Sequence, residues 1–301
     1  MHVSEADRFQ AKLRTKPFLV TMEVNPPKGT DLTEVLTAVE RVRALVDAVN
    51  VTDGSGAIMR ACSLAVAKAV LDAGVDPILQ LTCRDRNVLA LQAELLGAYI
   101  LGIRNLLLLK GDDPKSGDHP EARPVFEIDS AGLMRMAKGL SEGHDYTGHE
   151  LKGIPSGFCI GAAADPGAKD LDLEMKKFQA KIEGGAQFFQ TQAVFTADAL
   201  AKFMPRAKKF GKPVLAGVLL VKSAKMARYM NEHVWGINVP EEIIARFERA
   251  SDAKAECVAV TAEIVRGVRE HANGIHLYGL GWEELIPDII KEARLERSVV
   301  Q

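Results

Sequence analysis

The chain has 301 residues, 47% of them apolar and 26% charged. That composition excludes wholesale disorder, and the length can bury roughly 75% of the unfolded surface without a disulfide or metal staple. Lys plus Arg number 38 against 40 for Asp plus Glu, a net charge of −2, so the basic surplus of a nucleic-acid binder is absent.

A first helix is predicted over Ser4–Lys12, inside a polar and charged stretch, Met1 to Lys16, that predicts no secretory signal. Short runs rich in Val, Ile, Leu and Phe then read as strands buried on both faces, as parallel sheets require. They are Phe18–Val24, Ala48–Thr52, Pro77–Thr82, Asn105–Lys110, Gly157–Ala162, Gln187–Gln192, Pro213–Val221 and Gly274–Leu280. The longest apolar run, Val214 to Val221, is far too short to span a membrane. Segments of helical spacing separate the strands. Val88, Leu91, Leu95 and Tyr99 form one apolar stripe; Leu171, Met175, Phe178 and Ile182 form another, with Asp172, Glu174, Lys176 and Lys181 on its outer face. Strand then helix, eight times over, predicts a single (β/α)8 TIM barrel across 1–301, with extra helices near Ala224–Glu232 and Glu241–Arg249. A doubly wound open sheet is the competitor. The missing G-x-G-x-x-G turn excludes its dinucleotide-binding versions alone. Four cysteines, Cys62, Cys83, Cys159 and Cys257, lie far apart with no C-x-x-C pair. This argues against zinc and disulfides and predicts a reducing, cytoplasmic setting.

A barrel of this kind builds its active site where the strands end. Strand one ends in Glu23, strand two in Thr52-Asp53-Gly54 and strand three in Thr82-Cys83-Arg84-Asp85. Strand four gives Lys110-Gly111-Asp112-Asp113, strand five Ala163-Ala164-Asp165-Pro166, and strand six Thr191-Gln192. Glu23 sits in an apolar strand, where burial penalises a charge unless it is paired or protonated. That leaves two readings, a general acid or a carboxylate salt-bridged to a nearby arginine. Asp112 and Asp113 fit loop capping as well as chemistry. Lys110 reads as a solvated or phosphate-facing lysine rather than a Schiff-base one, and Gln192 could merely satisfy backbone groups. Cys83 reads as a buried small hydrophobe. The seven histidines form no metal triad, and His276, in strand eight, reads by default as core.

Several segments stand together in a known order: Glu23-x-x-Pro26-Pro27, Val51-Thr52-Asp53-Gly54, Leu81-Thr82-Cys83-Arg84-Asp85-Arg86-Asn87, Gly102-Ile103-Arg104-Asn105, Lys110-Gly111-Asp112, Lys181-Ile182-Glu183-Gly184-Gly185-Ala186 and Thr191-Gln192. Running from Glu23 to about Leu280, they resemble the methylenetetrahydrofolate reductase family, most of all its short bacterial catalytic subunits.

The resemblance implies a flavin, usually FAD with FMN the alternative, at the barrel mouth. It implies hydride transfer to 5,10-methylenetetrahydrofolate, giving 5-methyltetrahydrofolate in a reversible reaction. Glu23 matches the acid that protonates the leaving amine as the folate ring opens. Asp112 matches an aspartate beside the flavin that also contacts the pterin, and Gln192 matches the amide that binds the pterin edge. Thr52, Gln80, Lys110, Gly111, Asp112, Ala164 and Lys181 fall at flavin contacts, with Lys181 suited to phosphate. There are departures. Gln80 stands where a histidine is common, Ala164 and Ala224 stand where rings pack on flavin and on nicotinamide or folate, and a family arginine is replaced near Trp282. With those rings gone, two electron donors are open: NAD(P)H directly, or a protein partner. Phe195 or Trp282 is the candidate replacement ring. A homo-oligomer is compatible with the resemblance; nucleic-acid binding and membrane insertion are not expected. The rival readings are a folate-binding barrel methyltransferase, which a yellow flavin colour on purification separates from the reductase, and a non-catalytic folate-binding subunit, against which Glu23, Asp112 and Gln192 standing together argue.

Overall fold

The computed structural model describes residues 4–5, 8–153, 157–234 and 236–295. Eight parallel strands close into a barrel in sequence order: β1 (Leu19–Val24), β2 (Ala48–Val51), β3 (Pro77–Thr82), β4 (Asn105–Leu109), β5 (Cys159–Ala164), β6 (Phe188–Ala193), β7 (Val214–Leu219) and β8 (Gly274–Tyr278). Six crossover helices follow the first six strands: α2 (Thr33–Val42), α3 (Ser63–Asp72), α4 (Val88–Ile100), α5 (Ser130–Ser141), α6 (Leu171–Glu183) and α7 (Ala197–Ala207). Between β7 and β8 lie α8 (Ala224–His233), α9 (Glu241–Arg249) and α10 (Ala253–Val268), and α11 (Ile286–Glu292) follows β8. This is a (β/α)8 barrel with extra helices. Among the described residues no helix is long and apolar enough to cross a membrane.

Local chemistry starts the crossings. Asn87, Asp129, Asp170, Ser223 and Asp252 each cap a helix by accepting from a backbone N–H of its first turn. The apolar stripes of the helices then pack on the outward faces of the strands, which form one continuous core with them. Strand residues facing the axis form layers, as barrel geometry demands. The lowest layer is apolar and contains Leu19, Ala48, Ile78, Cys159, Phe188 and Leu215. The middle layer is polar: Gln190 Nε2 donates to Asn50 Oδ1 at 3.1 Å and to Thr21 Oγ1 at 3.2 Å. Glu23, Gln80, Gln192 and Tyr278 come next along their strands and open onto the mouth.

The first helix lies later than Ser4–Lys12, at α1 (Phe9–Thr15), and part of the predicted span, residues 6 and 7, lies outside the described residues. Its position is set from the floor of the barrel. Asp76 accepts from Arg8 Nη1 at 2.9 Å, from the Phe9 N–H at 2.8 Å and from Asn105 Nδ2 at 2.8 Å. These bonds start the helix at Phe9 and drive its ring into the floor, edge-on to Phe188 with centroids 5.1 Å apart. Strand β5 also differs, ending at Ala164 rather than Ala162. The ladder to β6 continues as far as Ala164 opposite Thr191, which small alanines alone do not signal.

Candidate active site

Among the described residues, the cavities at the C-terminal mouth include two that adjoin each other, one of about 590 Å³ and one of about 420 Å³. They share a wall made of Ser55, Gln80, Leu109, Asp112, Ala163 and Gln192. Cavities of this size suit small-molecule ligands. The larger reaches outward past Lys110, Gly111 and Ala164 to Lys177 and Lys181. The smaller lies over the barrel axis, with Glu23 and His276 at depth and Met230, Val234 and Ile237 across it.

Glu23 is buried, and its neighbour is not an arginine. Its Oε2 accepts from Gln80 Nε2 at 3.4 Å and lies 3.6 Å from His276 Nε2. His276 is therefore no inert core residue: it lines the cavity, its Nδ1 is 2.9 Å from Thr21 Oγ1, and its ring meets Tyr278 edge-on at 4.7 Å. Burial, reinforced by the Glu23 charge, pushes the Tyr278 phenol well above its ordinary pKa, so it stays an O–H donor.

Asp112 is exposed at the shared wall, where its Oδ2 accepts the Gly56 N–H at 2.8 Å. It ties the loop after β2 to the loop after β4. Capping falls instead to Asp113, which accepts from the Lys115 N–H at 2.9 Å. Gly111 makes the turn just before them with φ +91°, and a Cβ there would lie 3.0 Å from both Thr82 Cβ and Arg84 Cβ. A side chain is thus opposed by both conformation and space. Lys181 Nζ donates to the Ala163 carbonyl at 2.7 Å, and burial lowers its pKa, with the Glu174 charge opposing. Lys110 is exposed, its Nζ 5.5 Å from the Phe126 ring centroid.

Thr52 is not brought to either cavity; its buried hydroxyl donates to Asn25 Oδ1 at 2.8 Å. Cys83 is buried, and burial followed by the Asp129 charge pushes its thiol up to about 11, so it is inert as a nucleophile. Of the proposed replacement rings, Phe195 faces a separate hollow beside α9. Trp282 meets the ammonium groups of Lys222 and Lys254, which lie 5.2 Å and 5.7 Å from its ring centroid. Among the described residues, the rings that line the smaller cavity are the Tyr278 phenol and the His276 imidazole.

Other motif residues hold the scaffold. Asp53 accepts from the Thr82 N–H and hydroxyl, both at 2.9 Å, and from Arg86 Nη1 at 2.8 Å, fastening the end of β3 to that of β2. Arg84 grips Asp85 through two nitrogens, and Arg104 lies 3.6 Å from the Tyr99 ring centroid. Site residues absent from the sequence candidates include Lys177, Met230, Val234 and Ile237. None of them stands at a strand end, so reading strand ends does not reach them.

The donor set of the larger cavity fits a flavin nucleotide: lysines at its outer end for phosphate, neutral amides at Gln80 and Gln192, and the Asp112 carboxylate where the cavities meet. Among the described residues no group of three or more His, Cys, Asp or Glu could hold a metal.

Residues 8–294 match the family model described as methylenetetrahydrofolate reductase. The chain is 23% identical to the 5,10-methylenetetrahydrofolate reductase of Escherichia coli, covering 94% of both chains. It is 22% identical to methylenetetrahydrofolate reductase 1 of Schizosaccharomyces pombe, covering 91% of this chain and 45% of that one. A Caenorhabditis elegans relative, a probable methylenetetrahydrofolate reductase (NADPH), is 23% identical with 44% of its length covered. The chain thus spans under half the length of these eukaryotic relatives. A Clostridium thermocellum protein that binds two copies of 5-methyl-5,6,7,8-tetrahydrofolic acid has the same fold, with a TM-score of 0.65 at 14% identity over 95% of this chain and 98% of that one.

Proposed function

The chain belongs to the methylenetetrahydrofolate reductase family, and on that footing we propose that it interconverts 5,10-methylenetetrahydrofolate and 5-methyltetrahydrofolate with a bound flavin, FAD or, as the alternative, FMN. One observation carries the reading: a buried carboxyl, Glu23, faces a cavity that shares its wall of amides and carboxylate with a second, lysine-ended cavity. The first is the folate site and the second the flavin site. A bound flavin supplies the hydride. Lys177 and Lys181 would hold its phosphates, while Gln80, Gly111 and Asp112 border the ring.

The methylene bridge accepts hydride once its five-membered ring has opened to an iminium cation, and opening needs a proton on the leaving amine nitrogen. Glu23 delivers that proton. Gln80 and His276 hold its carboxyl in place on the cavity floor. Gln192 offers the pterin edge a donor and an acceptor from one neutral group. Asp112 stabilises the cation electrostatically, and the apolar side chains of Met230, Val234 and Ile237 exclude water above it. A cytoplasmic setting, where thiols stay reduced, suits four cysteines that are all free.

An anaerobic absorbance spectrum of the purified protein tests the reading, with and without 5-methyltetrahydrofolate. A flavin band that bleaches on addition of the folate supports it. A colourless protein that refuses added flavin defeats it. Asp112→Asn is expected to raise the potential of the bound flavin and to weaken folate binding, since one negative charge no longer opposes electron gain or attracts a cation. Redox titration beside an indicator dye measures this, and an unchanged potential would leave Asp112 its loop tie to Gly56 alone.

Electrons are expected to come from a protein partner. Ala164 and Ala224 offer no ring, and Phe195 and Trp282 are engaged elsewhere. The Tyr278 ring is held edge-on to His276 with its O–H on the Thr191 carbonyl. Aromatic stacking is worth about 0.5–1.5 kcal/mol beyond area burial. Without it a nicotinamide loses the placement that hydride transfer needs. Stopped-flow mixing of the flavin-loaded chain with NADH and NADPH is expected to show slow bleaching, accelerated by a co-purifying protein or an artificial donor. Rapid bleaching at submillimolar nicotinamide would make NAD(P)H the direct donor.

A further inference from the structure

The pairing of β6 with β7 changes register at the wall between the two cavities. Gln190 faces Leu215 while Ala193 faces Gly217, so Thr191 and Gln192 together stand opposite the single residue Ala216. A bulge of this kind re-aims a side chain and disrupts the ladder locally. Here side chains repair the ladder. The Gly217 N–H donates to Thr191 Oγ1 at 2.9 Å, and the Thr191 hydroxyl donates in turn to the Gln192 carbonyl at 2.7 Å. The Thr191 carbonyl accepts the Tyr278 O–H from β8 at 2.8 Å. Regular pairing resumes where the Val194 N–H donates to the Gly217 carbonyl at 2.8 Å. Gly217 leaves no slack, because a Cβ there would lie 2.3 Å from the Thr191 carbonyl oxygen and 2.8 Å from Tyr278 Cε2.

The consequence falls on Gln192, whose side chain reaches both cavities. Among the described residues its amide has no hydrogen-bond partner of its own, so its aim depends on the backbone beneath it. Thr191 has already used its single hydroxyl proton within the protein, which leaves it none to donate to a ligand. We propose that Thr191, fastened by Tyr278, is a positioning residue whose bulge turns the Gln192 amide toward the folate. Its effect on the reaction runs through Gln192. This rests on the folate reading given above.

The test is a double-mutant cycle on the flavin-loaded protein, reading 5-methyltetrahydrofolate binding by titration and KM and kcat for methylenetetrahydrofolate. Thr191→Val keeps the shape and removes the hydroxyl. It is expected to weaken folate binding about tenfold and raise KM similarly, with kcat within a few-fold of wild type, as one lost buried hydrogen bond allows. Thr191→Ser is expected to restore binding. In a Gln192→Ala background, Thr191→Val is expected to cost nothing more, because both changes spoil the same amide. Tyr278→Phe serves as a second variant should the valine not fold, and its effect is likewise expected to shrink in the Gln192→Ala background. Wild-type binding by Thr191→Val, or a full tenfold loss repeated in that background, would overturn the inference. A wild-type protein that holds flavin but binds no folate would overturn the folate reading itself, and this inference with it.

Discussion

Glu23→Gln is expected to bind folate and flavin yet turn over about 10²–10⁴-fold more slowly, the usual worth of a general acid. The amide fills the same space at the cavity floor and can still accept from Gln80 Nε2, which now sits 3.4 Å from Glu23 Oε2. It cannot deliver a proton to the leaving amine. The step to time is flavin reoxidation by methylenetetrahydrofolate under anaerobic stopped flow, after prior reduction with dithionite. A rate within a few-fold of wild type would remove Glu23 from the acid's role. His276, 3.6 Å away and bonded through its other nitrogen to Thr21, would then be the next group to vary.

The second large effect concerns stability. Phe9→Ala is expected to destabilise the fold by about 3–5 kcal/mol, the range for truncating a buried Phe. Phe9 is wholly buried among Leu19, Ala48, Ile78, Cys159, Phe188 and Leu215. A closed ring of strands cannot collapse onto the void, so the cavity term is fully expressed. The edge-on contact with Phe188, about 0.5–1.5 kcal/mol in such pairs, is lost as well. Phe9→Leu is expected to recover most of the loss, because it keeps much of the volume. Urea unfolding followed by circular dichroism measures both variants. A shift below about 1 kcal/mol for Phe9→Ala would mean that α1 does not plug the barrel.

The motifs that carry the family resemblance divide once the chain is folded. Glu23, Gln192 and the Lys110-Gly111-Asp112 turn arrive at the cavities. Arg86 and Arg104 are spent on holding loops and strands together, Asp53 does the same from the wall of the larger cavity, and Thr52 faces Asn25 instead of the mouth. Residue type does not separate these groups, because a carboxylate that binds two loops and one that faces a ligand look alike in a sequence. His276 illustrates the reverse error. A lone histidine in an apolar strand reads as core, and its place beside Glu23 follows from β8 closing against β1, with His276 opposite Thr21.

The sequence by itself determined the alternation of eight doubly buried strands with amphipathic helices, a local signal repeated along the chain, and closure into a ring was shown by the tertiary structure. The sequence also located β3 to the residue and pointed to Glu23 from the cost of burying a charge. Tertiary structure alone decided what those residues meet. The polar layer of Thr21, Asn50, Gln190 and His276 exists because strands far apart in sequence converge on one axis. The bulge at Thr191 arises from a register between two strands, and the floor from a helix before the barrel reaching under it. Each is a contact across tens or hundreds of residues, and such contacts are fixed when the strands close into a ring, which no local pattern encodes.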